Sequence, residues 1–175
     1  APKWLDLALK SIEDQFYDNW ELCIVDDCST NQETLNYLKT IKNTKVRIKF
    51  LTKNLNISGA TNEAISMALG EYIVFMDNDD EITKDALYEL AKAINSHNKP
   101  DMIYSDEDKI DTEGITSEPF FKPNWSPDTF MSIMYICHLT CYKKTIIDKL
   151  NGLRIGYEGA QDYDLGLRFM EVSSN

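Results

Sequence analysis

The sequence predicts an α/β domain in which a mostly parallel central sheet carries helices on both faces. Three observations predict it. Helical and strand-like hydrophobic periods alternate along most of the 175 residues, as they do when crossover helices join parallel strands. The clearest strand-like runs, 20–25 and 71–76, are near-continuous apolar text rather than alternating text, which suits strands covered on both faces. A composition that is 43% hydrophobic and 27% charged is that of one packed domain, not of a disordered chain.

The elements follow in order. Leu5, Leu9, Ile12 and Phe16 recur at helical spacing over 3–17, and the strand 20–25 closes in Asp26-Asp27. Asn31 starts a second helix through Leu35, Leu38 and Ile41, 46–51 alternates as a strand, and Ser58 or Gly59 opens a helix that Gly70 stops. The strand 71–76 ends in the acidic run Asp77-Asn78-Asp79-Asp80-Glu81. Thr83 is placed to cap a helix carrying Leu87, Leu90, Ala91 and Ile94, and 101–104 is a short strand. Segment 106–128, with Gly114, Pro119, Pro123 and Pro127, reads as loops and a hairpin lying over a site. Apolar, strand-like text returns at 131–142, a short helix spans 143–150, and a last helix runs over 162–172 after a loop with Gly152, Gly156 and Gly159.

Eighteen Lys and Arg stand against 29 Asp and Glu, a net charge of −11. That charge repels a phosphate backbone and excludes a general nucleic-acid binder. An anionic ligand can still bind carboxylates through a divalent cation. No run approaches the roughly 20 apolar residues that span a bilayer, and the first residues do not form a secretory signal. A soluble, cytoplasmic chain is expected, at most at the inner face of the membrane through parts outside this sequence. Cys23, Cys28, Cys137 and Cys141 lack the two-residue spacing of a zinc knuckle and suit reduced thiols. His97, in a polar helix end, is expected at the surface.

In an open parallel sheet, ligands bind beyond the carboxyl ends of the strands. The acidic pair at Asp26-Asp27 and the acidic run from Asp77 to Asp80 therefore converge on one edge. Carboxylates so gathered need a cation or hydrogen-bond donors between them, and magnesium or manganese fits oxygen ligands of this kind. Two other readings of the acids stand beside this one: caps of the following helices, and a phosphoreceiver domain, against which the helix before Asp26 and the long segment 106–128 both count.

The series Trp20-Glu-Leu-Cys-Ile-Val-Asp-Asp-Cys-Ser-Thr30, Gly70-Glu-Tyr-Ile-Val-Phe-Met-Asp-Asn-Asp-Asp80 and Gly159-Ala-Gln-Asp-Tyr-Asp-Leu-Gly-Leu-Arg168 resembles the family 2 glycosyltransferases of the Rossmann-like GT-A fold. Tyr104-Ser-Asp-Glu-Asp-Lys109 and Phe121-Lys-Pro-Asn-Trp-Ser-Pro-Asp128 are similar to the bacterial subgroup that builds surface polysaccharides. The resemblance implies a nucleotide-diphosphate sugar donor, most simply UDP-linked, and a glycan or lipid-linked acceptor. Residues 1–105 would form the donor half and 106–175 the acceptor half. Asp27 would accept from the base N–H, Asp77 would lie near ribose and metal, Asp79 would bind Mn2+ or Mg2+, and Asn62 would lie near the nucleotide. Asp162 would be the base of an inverting transfer, with Asp164 a lesser candidate; a helix cap is its plain structural role.

His138 is either a packed strand residue or, as the resemblance implies, a group near the acceptor or diphosphate. Trp125, with Tyr157, either stacks on sugar faces or pins its loop to the core. Asn62 is equally suited to helix packing. The family's first strand has no counterpart here, so the sheet is expected to lack it and to expose an edge prone to self-association. The rival function is a catalytically silent nucleotide- or carbohydrate-binding module on the same fold.

Overall fold

A computed structural model describes residues 2–173. Helix α1 (Pro2–Glu13) buries Ala8, Leu9 and Ile12, the helical stripe read from the sequence. Phe16 lies past its end and is exposed, so the stripe stops one turn early. Strand β1 (Leu22–Asp26) is followed by α2 (Gln32–Thr40), whose N-cap is Asn31; its Oδ1 accepts from Thr34 N–H at 3.0 Å. Strand β2 (Val46–Phe50) pairs with β1 in parallel, Leu22 opposite Val46 and Asp26 opposite Phe50.

Helix α3 (Asn56–Met67) leads to β3 (Tyr72–Phe75), and α4 (Ala86–Ser96) leads to β4 (Met102–Tyr104). Thr83 does not cap α4. The orphan N–H of Leu87 is instead met by the buried Gln15, whose Oε1 accepts it at 2.9 Å while Nε2 donates to Thr83 O at 2.7 Å. A glutamine after α1 thus takes the work that the sequence assigned to a local cap.

The hairpin expected within 106–128 is present as β5 (Glu107–Ile110) and β6 (Thr116–Phe120). A single helical turn, α5 (Pro127–Phe130), then β7 (Thr140–Lys143), α6 (Lys144–Lys149) and α7 (Gln161–Val172) complete the chain. Of the apolar text 131–142 only its end is strand, and that strand inserts antiparallel between β3 and β4. The sheet is therefore mixed: β1 and β2 run parallel, β3 and β4 run alike, and β7 opposes both. His138 precedes β7, so its expected place within a strand is corrected.

The core sits beneath α7 and β7, where Ile65, Ile73, Tyr142, Ile147, Leu165 and Phe169 are all buried. A second cluster joins α4 to the other face through Leu90, Leu139 and Cys141. The sheet is also interrupted by a gap. Among the described residues β1 and β3 are not paired, and a cavity of ≈ 1040 Å³ is lined by both strands and by Leu9, Ile12, Ile65 and Ala68.

Candidate active site

The carboxyl end of β3 and the start of α7 open on the same cavity, whose lining includes Asp77, Asn78, His138, Gln161 and Asp162. After β3 the chain turns back on itself, Asp80 N–H donating to Asp77 O at 3.3 Å. That turn brings Asp80 rather than Asp79 beside Asp77. One ligand atom each from Asp77, Asp80 and His138 lies within 4.8 Å of the others, and His138 Nδ1 is 3.1 Å from Asp80 Oδ2.

Electrostatics ties the group together. Surrounding protein partly desolvates the Asp77 carboxyl, although the residue is exposed, and holds its pKa above the usual range; His138 opposes this, while Asp80, Asp79 and Asp162 reinforce it. The hydrogen bond to Asp80 raises the His138 pKa, against desolvation and with help from Asp77. Asp162 therefore stands close enough for Asp77 to feel it, although 85 residues of sequence separate them (162 − 77 = 85).

Asp162 is exposed at the second position of α7, where its Oδ1 accepts from Tyr163 N–H at 2.8 Å. The N-cap is Ala160, so Asp162 does not cap the helix, and it is exposed where α7 borders the cavity. Asp164 is a different case. It is buried and held by Arg154 and Arg168, with Arg168 Nε 2.8 Å from Oδ2. Two guanidinium groups lock this carboxylate in place.

Asp27 lies at the end of β1, where its Oδ1 accepts from Leu55 N–H at 2.6 Å just before α3; no hydrogen bond to its Oδ2 is found among the described residues. Asn62 is not brought to this group. Its amide clamps the backbone of Leu153, donating to Leu153 O and accepting from Leu153 N–H, both at 2.8 Å. Trp125 packs on Phe130 and Tyr135, with ring centroids 5.3 and 6.5 Å away, and stays 41% exposed. It pins the loop and leaves part of its ring to solvent. Tyr157 sits under the Arg154 guanidinium at 4.3 Å. All four thiols are free, and His97 is exposed at the end of α4.

The Glycosyl transferase family 2 model matches residues 1–150. The chain belongs to glycosyl transferase family 2. This family 2 chain is 36% identical over 170 residues to the O-antigen biosynthesis protein RfbC of Myxococcus xanthus, a match that covers 96% of it and 13% of that protein. Its fold is the GT-A fold. It superposes on S. aureus TarS 1-349 in complex with UDP-GlcNAc at a TM-score of 0.79 and 22% identity, covering 95% of the chain and 49% of TarS. It superposes on the mannosyltransferase PcManGT from Pyrobaculum calidifontis, in complex with GDP-Man and Mn2+, at 0.69 and 17% identity, covering 97% and 48%. Family membership removes the phosphoreceiver reading. The family 2 chain spans a minor part of its curated relative's length, and among the described residues no helix is long and apolar enough to cross a membrane.

Proposed function

We propose that this chain carries the donor site and general base of an inverting glycosyltransferase, which moves a sugar from a nucleotide diphosphate, best a UDP-sugar, to a carbohydrate or lipid-linked acceptor in bacterial polysaccharide synthesis. The observation that carries the reading is the meeting of Asp77, Asp80 and His138, of which Asp77 and His138 line the cavity that also reaches Asp162. Residues 1–105 supply the donor side. The later half supplies His138 and the base.

Two carboxylates and an imidazole fit Mn2+ better than Mg2+, which prefers an all-oxygen shell. Asp77, Asp80 and His138 would hold the ion, with Asp79 at its exposed side. A bound ion supplies Lewis-acid charge to the departing diphosphate. Asp27, with its second oxygen, accepts from the base N–H of a uracil. Asp162 accepts the proton of the acceptor hydroxyl as that oxygen bonds to the anomeric carbon and the bond to the diphosphate breaks. A single in-line displacement inverts the configuration, so one carboxylate suffices.

Calorimetry of UDP binding to the full-length protein tests the donor site. Heat is expected with Mn2+ and is expected to fall sharply without it; equal heats in both conditions overturn the metal assignment. Asp162→Asn is expected to keep UDP affinity and lose roughly 10²–10⁴-fold in transfer, the range of a general base. A silent binding module would instead show UDP binding with no transfer from any nucleotide sugar in the unaltered protein.

A further inference from the structure

Two sequence blocks that this chemistry leaves unused, 104–109 and 121–128, dock on each other and on the turn that presents His138. Tyr104 donates its hydroxyl to Pro123 O at 2.6 Å, and Lys122 N–H donates to Asp106 Oδ1 at 2.8 Å. The side chain of Lys122 is 1% exposed. A buried ammonium is tolerated only when it is paired and its donors are met. Lys122 Nζ meets that demand with three acceptors: Glu107 Oε2 at 2.9 Å, Ile136 O at 2.6 Å and His138 O at 2.6 Å. The same Glu107 oxygen accepts from His138 N–H at 3.2 Å.

The turn needs such a hold. Cys137 has φ 30°, outside the regions open to ordinary side chains. Its neighbours' carbonyls converge on one ammonium rather than on a strand. Thr140 Oγ1 adds a bond to Cys137 O at 2.6 Å, and Ser105 brackets the far side by donating its N–H to Leu139 O at 3.1 Å. Neither Lys122 nor Glu107 belongs to the Asp77–Asp80–His138 group.

We propose that Lys122, charge-paired with Glu107, is a positioning residue: it fixes the 136–138 backbone so that the His138 ring meets Asp80 and faces the donor site. The inference rests on the donor-site reading above. A methionine at 122 keeps the bulk and apolar stem but offers no donor, so His138 O loses the Lys122 bond, Ile136 O keeps only the longer bond from Thr140 Oγ1 at 3.3 Å, and the ring loses its aim.

The test uses Lys122→Met and Glu107→Gln in the full-length protein, with two readouts. In metal-free protein, the imidazole NMR resonances of His138, assigned with His138→Ala, are expected to move in Lys122→Met, while those of His97, distant on α4, stay in place. A double-mutant cycle on UDP affinity in Mn2+ supplies the second readout. Lys122→Met is expected to raise Kd at least fivefold in the parent and less than twofold in the His138→Ala background. Unmoved His138 resonances, or equal losses in both backgrounds, overturn the proposal and leave Lys122 a fold residue only. If Lys122→Met does not fold, Glu107→Gln carries the same two readouts, with a smaller shift of the same kind. If the parent itself binds no UDP in Mn2+, the donor-site reading fails, and the NMR readout still judges the clamp.

Discussion

Asp164 shows how much a single carboxylate can anchor. It is 7% exposed and accepts from Arg154 and Arg168, and these bonds hold its pKa below the ordinary 3.8, the Arg154 bond foremost, against burial. A carboxylate with a depressed folded pKa contributes stability that is complete above its unfolded value and is lost as pH falls through the folded one. Thermal midpoints are therefore expected to fall as pH drops below about 3.8. Asp164→Asn is expected to cost about 3 kcal/mol at neutral pH, the low end for a broken buried pair because Arg154 is half exposed, and to flatten this acid limb. An unchanged limb would show that other carboxylates govern acid unfolding. Asn62 carries a second prediction at this scale. Asn62→Ala strands the backbone groups of Leu153, which is 6% exposed, and is expected to cost about 1–3 kcal/mol in denaturant unfolding with UDP affinity unchanged. A selective loss of UDP affinity would instead support the nucleotide role that the family resemblance implies.

At the scale of elements, α7 is set by one close approach. Gly166 faces Phe130, which is fully buried; a Cβ on Gly166 would lie 2.7 Å from Phe130 Cζ. Phe130 cannot swing aside, because Tyr135 and Tyr163 stand edge-on to it at 5.8 and 5.4 Å. Gly166→Ala gains about 1 kcal/mol of helix propensity and loses about 1–3 kcal/mol to overpacking. Lower stability with less Phe130–Tyr163 contact is expected in denaturant unfolding, and a stabilised variant would show that the helix can shift. Elements with a clear period were legible: α1, α2, α4 and the strands before the acidic runs. The 131–139 segment was not, because it buries Tyr135 and Ile136 from an irregular backbone held by Lys122 and leaves Met131 and Ile133 exposed, so its apolar residues follow no period. The family resemblance names Asp79 beside Asp77. The structure brings the Asp80 carboxylate to Asp77 and His138 through a backbone turn between residues three apart, which no periodicity records.

For the whole molecule, the sheet stands in two parts, β1–β2 and β3–β7–β4, with the cavity between them. The gap between β1 and β3 was legible as an expectation of the family resemblance. The antiparallel insertion of β7 was not, since residues 140–143 read the same in either direction. Among the described residues no strand pairs with either inner edge, and such edges template pairing with another chain. The net charge of −11 opposes that pairing between copies, and salt screens it, the Debye length falling from about 30 Å at 0.01 M to about 3 Å at 1 M. The 175-residue chain on its own is therefore expected to sediment with a mass that rises with concentration, and more steeply as salt is added. Replacing the inward-facing edge with charge should reverse this. Val25→Lys on β1, beside the cavity, is expected to restore a single small species at high salt. A chain that stays monomeric at high salt and high concentration, with slow amide exchange along β1 and β3, would mean that the helices around the cavity already shield both edges.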